Sequence, residues 1–160
     1  MKRTFSTFLI LLLFHNISDA QTFKLTDTIF YPGLKLVRGI LYNPGCQIEI
    51  NSLPFVDSLA KFLIANENIV IEISFHSEIR GAEKMNQMRT EGCGKSRLES
   101  MFTYNYPSIN KERIKYVCYG ESKPIYTLNE MEKITDKNKR NIAHMANART
   151  VIEIIQVDFK

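Results

Sequence analysis

The sequence has little cysteine: three residues in 160, with no C-x-x-C pair and no Cys/His cluster. That excludes a disulfide-built mini-scaffold and gives no sign of a structural zinc site. No apolar run approaches the ~20 residues that a membrane-spanning helix needs. The N-terminal run, Phe8 to Phe14, stops after seven. Low-complexity linkers and internal repeats are absent, and so is any block of one charge. The 21 Lys+Arg and 17 Asp+Glu are scattered along the chain, for a formal net charge of +4. These absences exclude a disordered tail and a bundle of membrane helices, and they give no support to nucleic-acid binding. What is present, 44% hydrophobic and 24% charged residues, suits one globular domain.

Lys2 and Arg3 precede the apolar run, and polar residues then lead to Ser18-Asp19-Ala20, small at the two positions a signal peptidase reads. Residues 1 to 20 are therefore expected to be a secretory signal peptide, cleaved before Gln21. No cysteine follows that point until Cys46, so a lipid-anchored precursor is not expected, and the mature chain should be soluble. Cleavage removes Lys2, Arg3 and Asp19 and leaves 19 basic and 16 acidic residues. An exported chain meets an oxidising compartment, so Cys46, Cys93 and Cys118 have the chance to pair, with at least one left over. The sequence leaves the pairing open, and burial of all three as small hydrophobes is an equal reading.

Residues 21 to 40, with Pro32-Gly33 and Gly39, read as a short lead-in and a turn. Ile40 to Ile50 is extended in character but interrupted by Asn43-Pro44-Gly45, a strong turn signal. Asn51 or Ser52 then caps a helix with Pro54 in its first turn and Phe55, Leu59, Phe62 and Leu63 on one face. Ile69, Ile71, Ile73 and Phe75 alternate with Val70, Glu72 and Ser74, a half-buried strand by its period of two, and His76 to Gly81 is the loop after it. Ala82 to about Tyr104 is helical, with Gly92 and Gly94 marking close packing or a local break. Asn110 caps or turns into a short strand from Arg113 to Cys118. A polar stretch from Glu121 to Asn147, basic between Lys133 and Arg140, reads as a solvated loop and short helix before a final strand from Thr150 to Val157. That order predicts an α+β domain of βαβαβ type, helices packed on a small mixed sheet.

Several strings line up in order with one family. The helix Leu53 to Leu63, the strand running into His76-Ser77-Glu78 and Gly81, Asn86, Tyr119-Gly120-Glu121-Ser122-Lys123-Pro124, and Asn147-Ala148-Arg149 together resemble the OmpA/MotB C-terminal domain, over roughly residues 40 to 157. The resemblance places an OmpA-like domain at 41 to 160. It implies noncovalent binding of peptidoglycan in the periplasm, with no chemical step and no cofactor. In such domains an acid after a His-Thr pair and an arginine on the next helix hold the ammonium and carboxylate of the stem peptide's diaminopimelate.

The departures fall at that clamp. The family's Gly-His-Thr-Asp is here Phe75-His76-Ser77-Glu78, which keeps an acid, but the helix arginine falls on Cys93, which cannot pair a carboxylate. Arg89 and Arg97, four residues either side of Cys93, share its face on an unbroken helix, and Arg149 matches a second basic position. The expected ligand-binding residues are therefore Glu78, Asn86, Arg149, Arg89, Arg97, His76 and Cys93. A competing reading is an OmpA-like scaffold kept for its shape, docking on another envelope protein, with outer-membrane association through that partner. A Cys93 nucleophile with His76, or a metal held by His76, Glu78 and His144, has no supporting motif, so neither an enzyme nor a metal protein is expected.

Overall fold

The computed structural model describes residues 21–40, 42 and 46–160. The expected signal peptide and the Asn43-Pro44-Gly45 turn lie outside the described residues. Strands β1 (Lys35–Arg38), β2 (Val70–His76), β3 (Ile114–Gly120) and β4 (Arg149–Gln156) form one mixed sheet in the spatial order β1-β4-β2-β3. β4 runs antiparallel to both its neighbours, while β2 and β3 are parallel. A parallel pair needs a long crossover. Here it consists of α2 (Glu83–Arg89), a π-helical segment (Thr90–Ser96) and α3 (Arg97–Asn105). Helix α1 (Leu53–Ala65) precedes β2, and α4 (Leu128–Glu132) and α5 (Lys137–Asn147) stand between β3 and β4. The expected α+β class, helices on a small mixed sheet, is the class observed.

Helix α1 starts with proline in its first turn, where the missing N–H had no intrahelical partner to lose. It buries Val56, Leu59, Ala60, Phe62 and Leu63 along one stripe. These meet Ile71, Ile73, Ile152 and Ile154 from the sheet in one core, and each fully buried Leu or Ile contributes about 1.5–3 kcal/mol. Arg113 is buried with them, 4% exposed, and donates to Leu63 O at 2.8 Å, Asn66 O at 2.5 Å and Ile69 O at 2.9 Å. It thereby supplies donors for carbonyls at the open C-terminal end of α1.

Several elements differ from the expectation. Ile40 to Ile50, expected to be extended, pairs only through the isolated Tyr42–Ile48 bridge among its described residues, and the stretch expected to be a loop and short helix holds both α4 and α5. Residues 21 to 40 do more than lead in: Phe23 and Leu34 lie in the core, and β1 pairs residue by residue with Glu153 to Thr150. β2 is not half-buried, because it is the strand between β4 and β3; Val70 and Ser74 on its second face are buried with Ile71, Ile73 and Phe75 on the first. The helix after Ala82 continues past its glycines but changes form. Its middle is π-helical, and a Cβ on Gly94 would come within 2.8 Å of the Phe75 ring. Only glycine lets that segment lie so close to β2.

Candidate ligand-binding cleft

Antiparallel pairing of β2 with β4 brings the end of one beside the start of the other, so His76 faces Arg149 across the sheet and Phe75 faces Thr150. Arg89, Thr90, Cys93 and Gly94, from α2 and the π-helical segment, close one side of this corner, and Ile40, Tyr42 and Cys46 close another. Between them lies an open cleft of about 650 Å³. The π-helical turn carries Cys93 to Cys46, and the two form a disulfide, whereas Cys118 is a free, half-buried thiol. Tyr42 adds a second tie, its hydroxyl 3.5 Å from Gly94 O.

Arg149 is half-buried at the floor of the cleft. It spends two of its N–H groups on backbone, Nη1 donating to Asn147 O at 3.2 Å and Nη2 to Lys123 O at 3.0 Å. Burial lowers its pKa, yet a guanidinium remains charged throughout the accessible pH range. Arg89 is exposed at the rim. Among the described residues neither arginine is ion-paired to a carboxylate, and no Asp or Glu lines the cleft.

His76 stacks on Tyr119, ring centroids 5.2 Å apart, and its Nε2 lies 3.3 Å from Ser74 Oγ. Lys123 Nζ sits over the same Tyr119 ring at 3.7 Å. Burial first, then the charges of Arg149 and Lys123, push the His76 pKa down to about 4. The ring is therefore neutral in the fold at pH values where the unfolded chain, titrating near 6.5, is already protonated. The unfolded state binds more protons between those values, so stability is full above pH ~6.5 and falls as pH drops towards 4. The ring is partly exposed, and screening reduces the loss to about 1–2 kcal/mol. Urea midpoints at pH 7 and pH 4.5 should show that fall, and His76→Gln should flatten it; an unchanged slope in the variant would assign the effect to other groups.

The remaining expected residues are dispersed. Glu78 stands outside the cleft lining and is held by Arg80, which donates to Glu78 Oε2 through Nε at 2.9 Å and again through Nη2. Asn86 is fully buried; its Nδ2 donates to Arg80 O at 3.3 Å and to a Glu121 carboxylate oxygen, which fixes two loops from inside. Arg97 is exposed and absent from the cleft lining. It shares a face with Cys93 only on a regular α-helix, and the wider π-helical turns rotate it away. His76, Arg89, Cys93 and Arg149 are thus brought together, and Glu78, Asn86 and Arg97 are not. The sequence places Asn147 in the Asn147-Ala148-Arg149 string but assigns it no role, and the structure supplies one. Its Oδ1 accepts from Ile125 N at 2.8 Å and Tyr126 N at 3.0 Å, and its Nδ2 donates to Tyr126 O at 2.8 Å, pinning the loop that leads to α4. An asparagine two residues before Arg149 was the available signal.

No protein-family profile matches the chain. Over 112 residues it is 31% identical to the peptidoglycan-associated lipoprotein of Buchnera aphidicola, a match covering 68% of this chain and 62% of that protein. The chain thus spans less than two thirds of the length of the curated relative it matches. In fold it is similar to a putative MotB-like protein of Desulfovibrio vulgaris, with TM-score 0.57 and 14% identity over 76% of this chain and 74% of that one. The periplasmic domain of Helicobacter pylori MotB gives TM-score 0.53 at 14% identity, covering 76% and 75%. The cell wall anchor of the Pseudomonas aeruginosa T6SS gives 0.52 at 12% identity, covering 76% and 80%.

Proposed function

We propose that this chain, a divergent member of the OmpA-like domain family, binds peptidoglycan noncovalently on the periplasmic side of the cell envelope, through the cleft at the ends of β2 and β4. The observation that carries the reading is the pair of guanidiniums, Arg149 and Arg89, lining a cleft that contains no carboxylate among the described residues. Such a site takes a carboxylate of the stem peptide, with charge-assisted hydrogen bonds worth about 1.5–3 kcal/mol each. The similar proteins, a peptidoglycan-associated lipoprotein and a cell wall anchor, support the same ligand.

The grip differs from the two-ended clamp expected from the resemblance. Cys93 is tied to Cys46, and Glu78 is engaged by Arg80, so the ammonium of diaminopimelate has no ready anion while the carboxylate has two cations. Purified mature protein is therefore expected to pellet with isolated sacculi. Arg149→Ala should weaken that association by about tenfold, the equivalent of one charge-assisted contact, and Glu78→Ala should do less. Free diaminopimelate and its N-acetylated form should compete about equally. The disulfide standing at the arginine position favours the second reading, an OmpA-like scaffold that docks on another envelope protein. Wild-type protein that stays in the supernatant would leave that reading in place of the first.

A further inference from the structure

The basic stretch between Lys133 and Arg140 plays no part in the cleft described above, and it builds a concavity of its own. Residues 137, 140, 141 and 144 recur at helical spacing on one face of α5. That face looks across at Arg80 from the loop after β2, and the space between them is about 310 Å³, lined by Arg80, Lys137, Asn138, Arg140, Asn141 and His144. We propose that this α5 cleft is a second binding site, one that takes a phosphate group.

The two guanidiniums are held in place before any ligand arrives. Arg80 is fixed by Glu78 on one side and on the other donates through Nη1 to Asn141 Oδ1 at 3.2 Å. Arg140 is fixed by Ile134 O, to which Nε donates at 2.9 Å and Nη2 at 2.6 Å. A guanidinium carries five N–H donors, so each keeps free N–H groups, and a side chain already immobilised loses less entropy on binding. His144 contributes an Nδ1 that is buried and meets no protein partner. The nearby acids are committed elsewhere: Glu78 to Arg80, and Asp136 to the start of α5, where its Oδ1 accepts from Lys139 N at 2.9 Å.

Three cations, Arg80, Lys137 and Arg140, thus line one concavity whose lining, among the described residues, contains no carboxylate. The directions of the donors distinguish the anion. Two guanidiniums, an ammonium and the side-chain amides of Asn138 and Asn141 converge from a loop and a helix face, which suits the several terminal oxygens of a tetrahedral phosphate better than the two coplanar oxygens of a carboxylate. The phosphate could belong to a lipid headgroup or to a soluble phosphate ester; the chemistry at the site is the same.

The test uses the mature protein with inorganic pyrophosphate followed by amide NMR, and in parallel flotation with phosphatidylcholine vesicles made with and without phosphatidylglycerol. Saturable shifts confined to the Arg80 loop and α5 are expected. Lys137→Glu, which alters an exposed side chain without touching the Arg140 contact to Ile134 O, should weaken them about tenfold by replacing an attraction with a repulsion. Flotation that requires phosphatidylglycerol and is lost in Lys137→Glu assigns the phosphate to lipid; saturable shifts without flotation assign it to a soluble ester. Absence of saturation, or shifts that Lys137→Glu leaves unchanged, overturns the proposal. Pelleting with sacculi reads the other cleft and stands or falls separately.

Discussion

Arg113→Ala is expected to destabilise the domain by about 3–5 kcal/mol, a large fraction of the ~5–15 kcal/mol that separates a typical folded domain from its unfolded chain. The side chain is 4% exposed and donates to three carbonyls, Leu63 O, Asn66 O and Ile69 O. Those carbonyls belong to the end of α1 and the start of β2, so one guanidinium joins the main core helix to the central strand. A buried acceptor left without a donor costs about 1–3 kcal/mol, and the truncation adds a cavity beneath α1. Arg113→Met should rescue little, although it restores the volume. Replacing both partners of a buried ion pair with apolar groups can be neutral, but here the acceptors are backbone and remain behind. Arg113→Lys should fall between, because one ammonium does not span three carbonyls. Urea denaturation reads the result: midpoints should fall in the order wild type, Lys, Met, Ala with similar slopes, and an Ala variant within 1 kcal/mol of wild type would show that water replaces the guanidinium.

What the sequence made legible and what it hid divide along physical lines. α1, β2 and β4 were visible because each carries an apolar period long enough to be read, and the ordered strings from Leu53 to Arg149 pointed to the fold. β1 has only four residues, too few to establish alternation between Gly33 and Gly39. Arg113 reads as a surface residue by type, and only the open end of α1 explains its burial. At the candidate site, His76, Arg89, Cys93 and Arg149 meet because strand pairing and helix geometry place them together. Arg97 shares the Cys93 face only at 3.6 residues per turn, a spacing the π-helical stretch does not keep. Glu78 depended on a loop contact two residues away, with Arg80, and no periodicity governs which side chains meet in a loop. The α5 cleft was hidden for a related reason: half of it is a run that reads as solvated surface, and the other half is that same Arg80.

Loss of the Cys46–Cys93 disulfide is expected to cost about 3–4 kcal/mol and to loosen one wall of the cleft. The bond joins residues 47 apart in sequence, and closing a loop of that length removes enough freedom from the unfolded chain to account for such a figure in the chain-entropy description. It also fastens Cys46, which sits at φ 59 in the left-handed region that favours glycine, to the π-helical segment that lines the cleft. Without it the Tyr42 hydroxyl, 3.5 Å from Gly94 O, still links those walls, but more weakly than a covalent bond. Cys118 is a poor substitute, since burial raises its thiol pKa, the Glu91 charge raises it further, and its Sγ lies 3.4 Å from Thr90 O. Wild-type protein should therefore lose stability on adding a reductant, and the Cys46→Ala/Cys93→Ala double variant should start at the lower midpoint and ignore reductant. A reductant-insensitive wild type in which thiol titration finds all three cysteines free would remove the crosslink from the account. The same reasoning bears on restoring the family's arginine: Cys93→Arg adds a third cation to the cleft only by releasing Cys46. Its effect on pelleting with sacculi should be compared with that of Cys93→Ala, so that the new charge is separated from the lost bond.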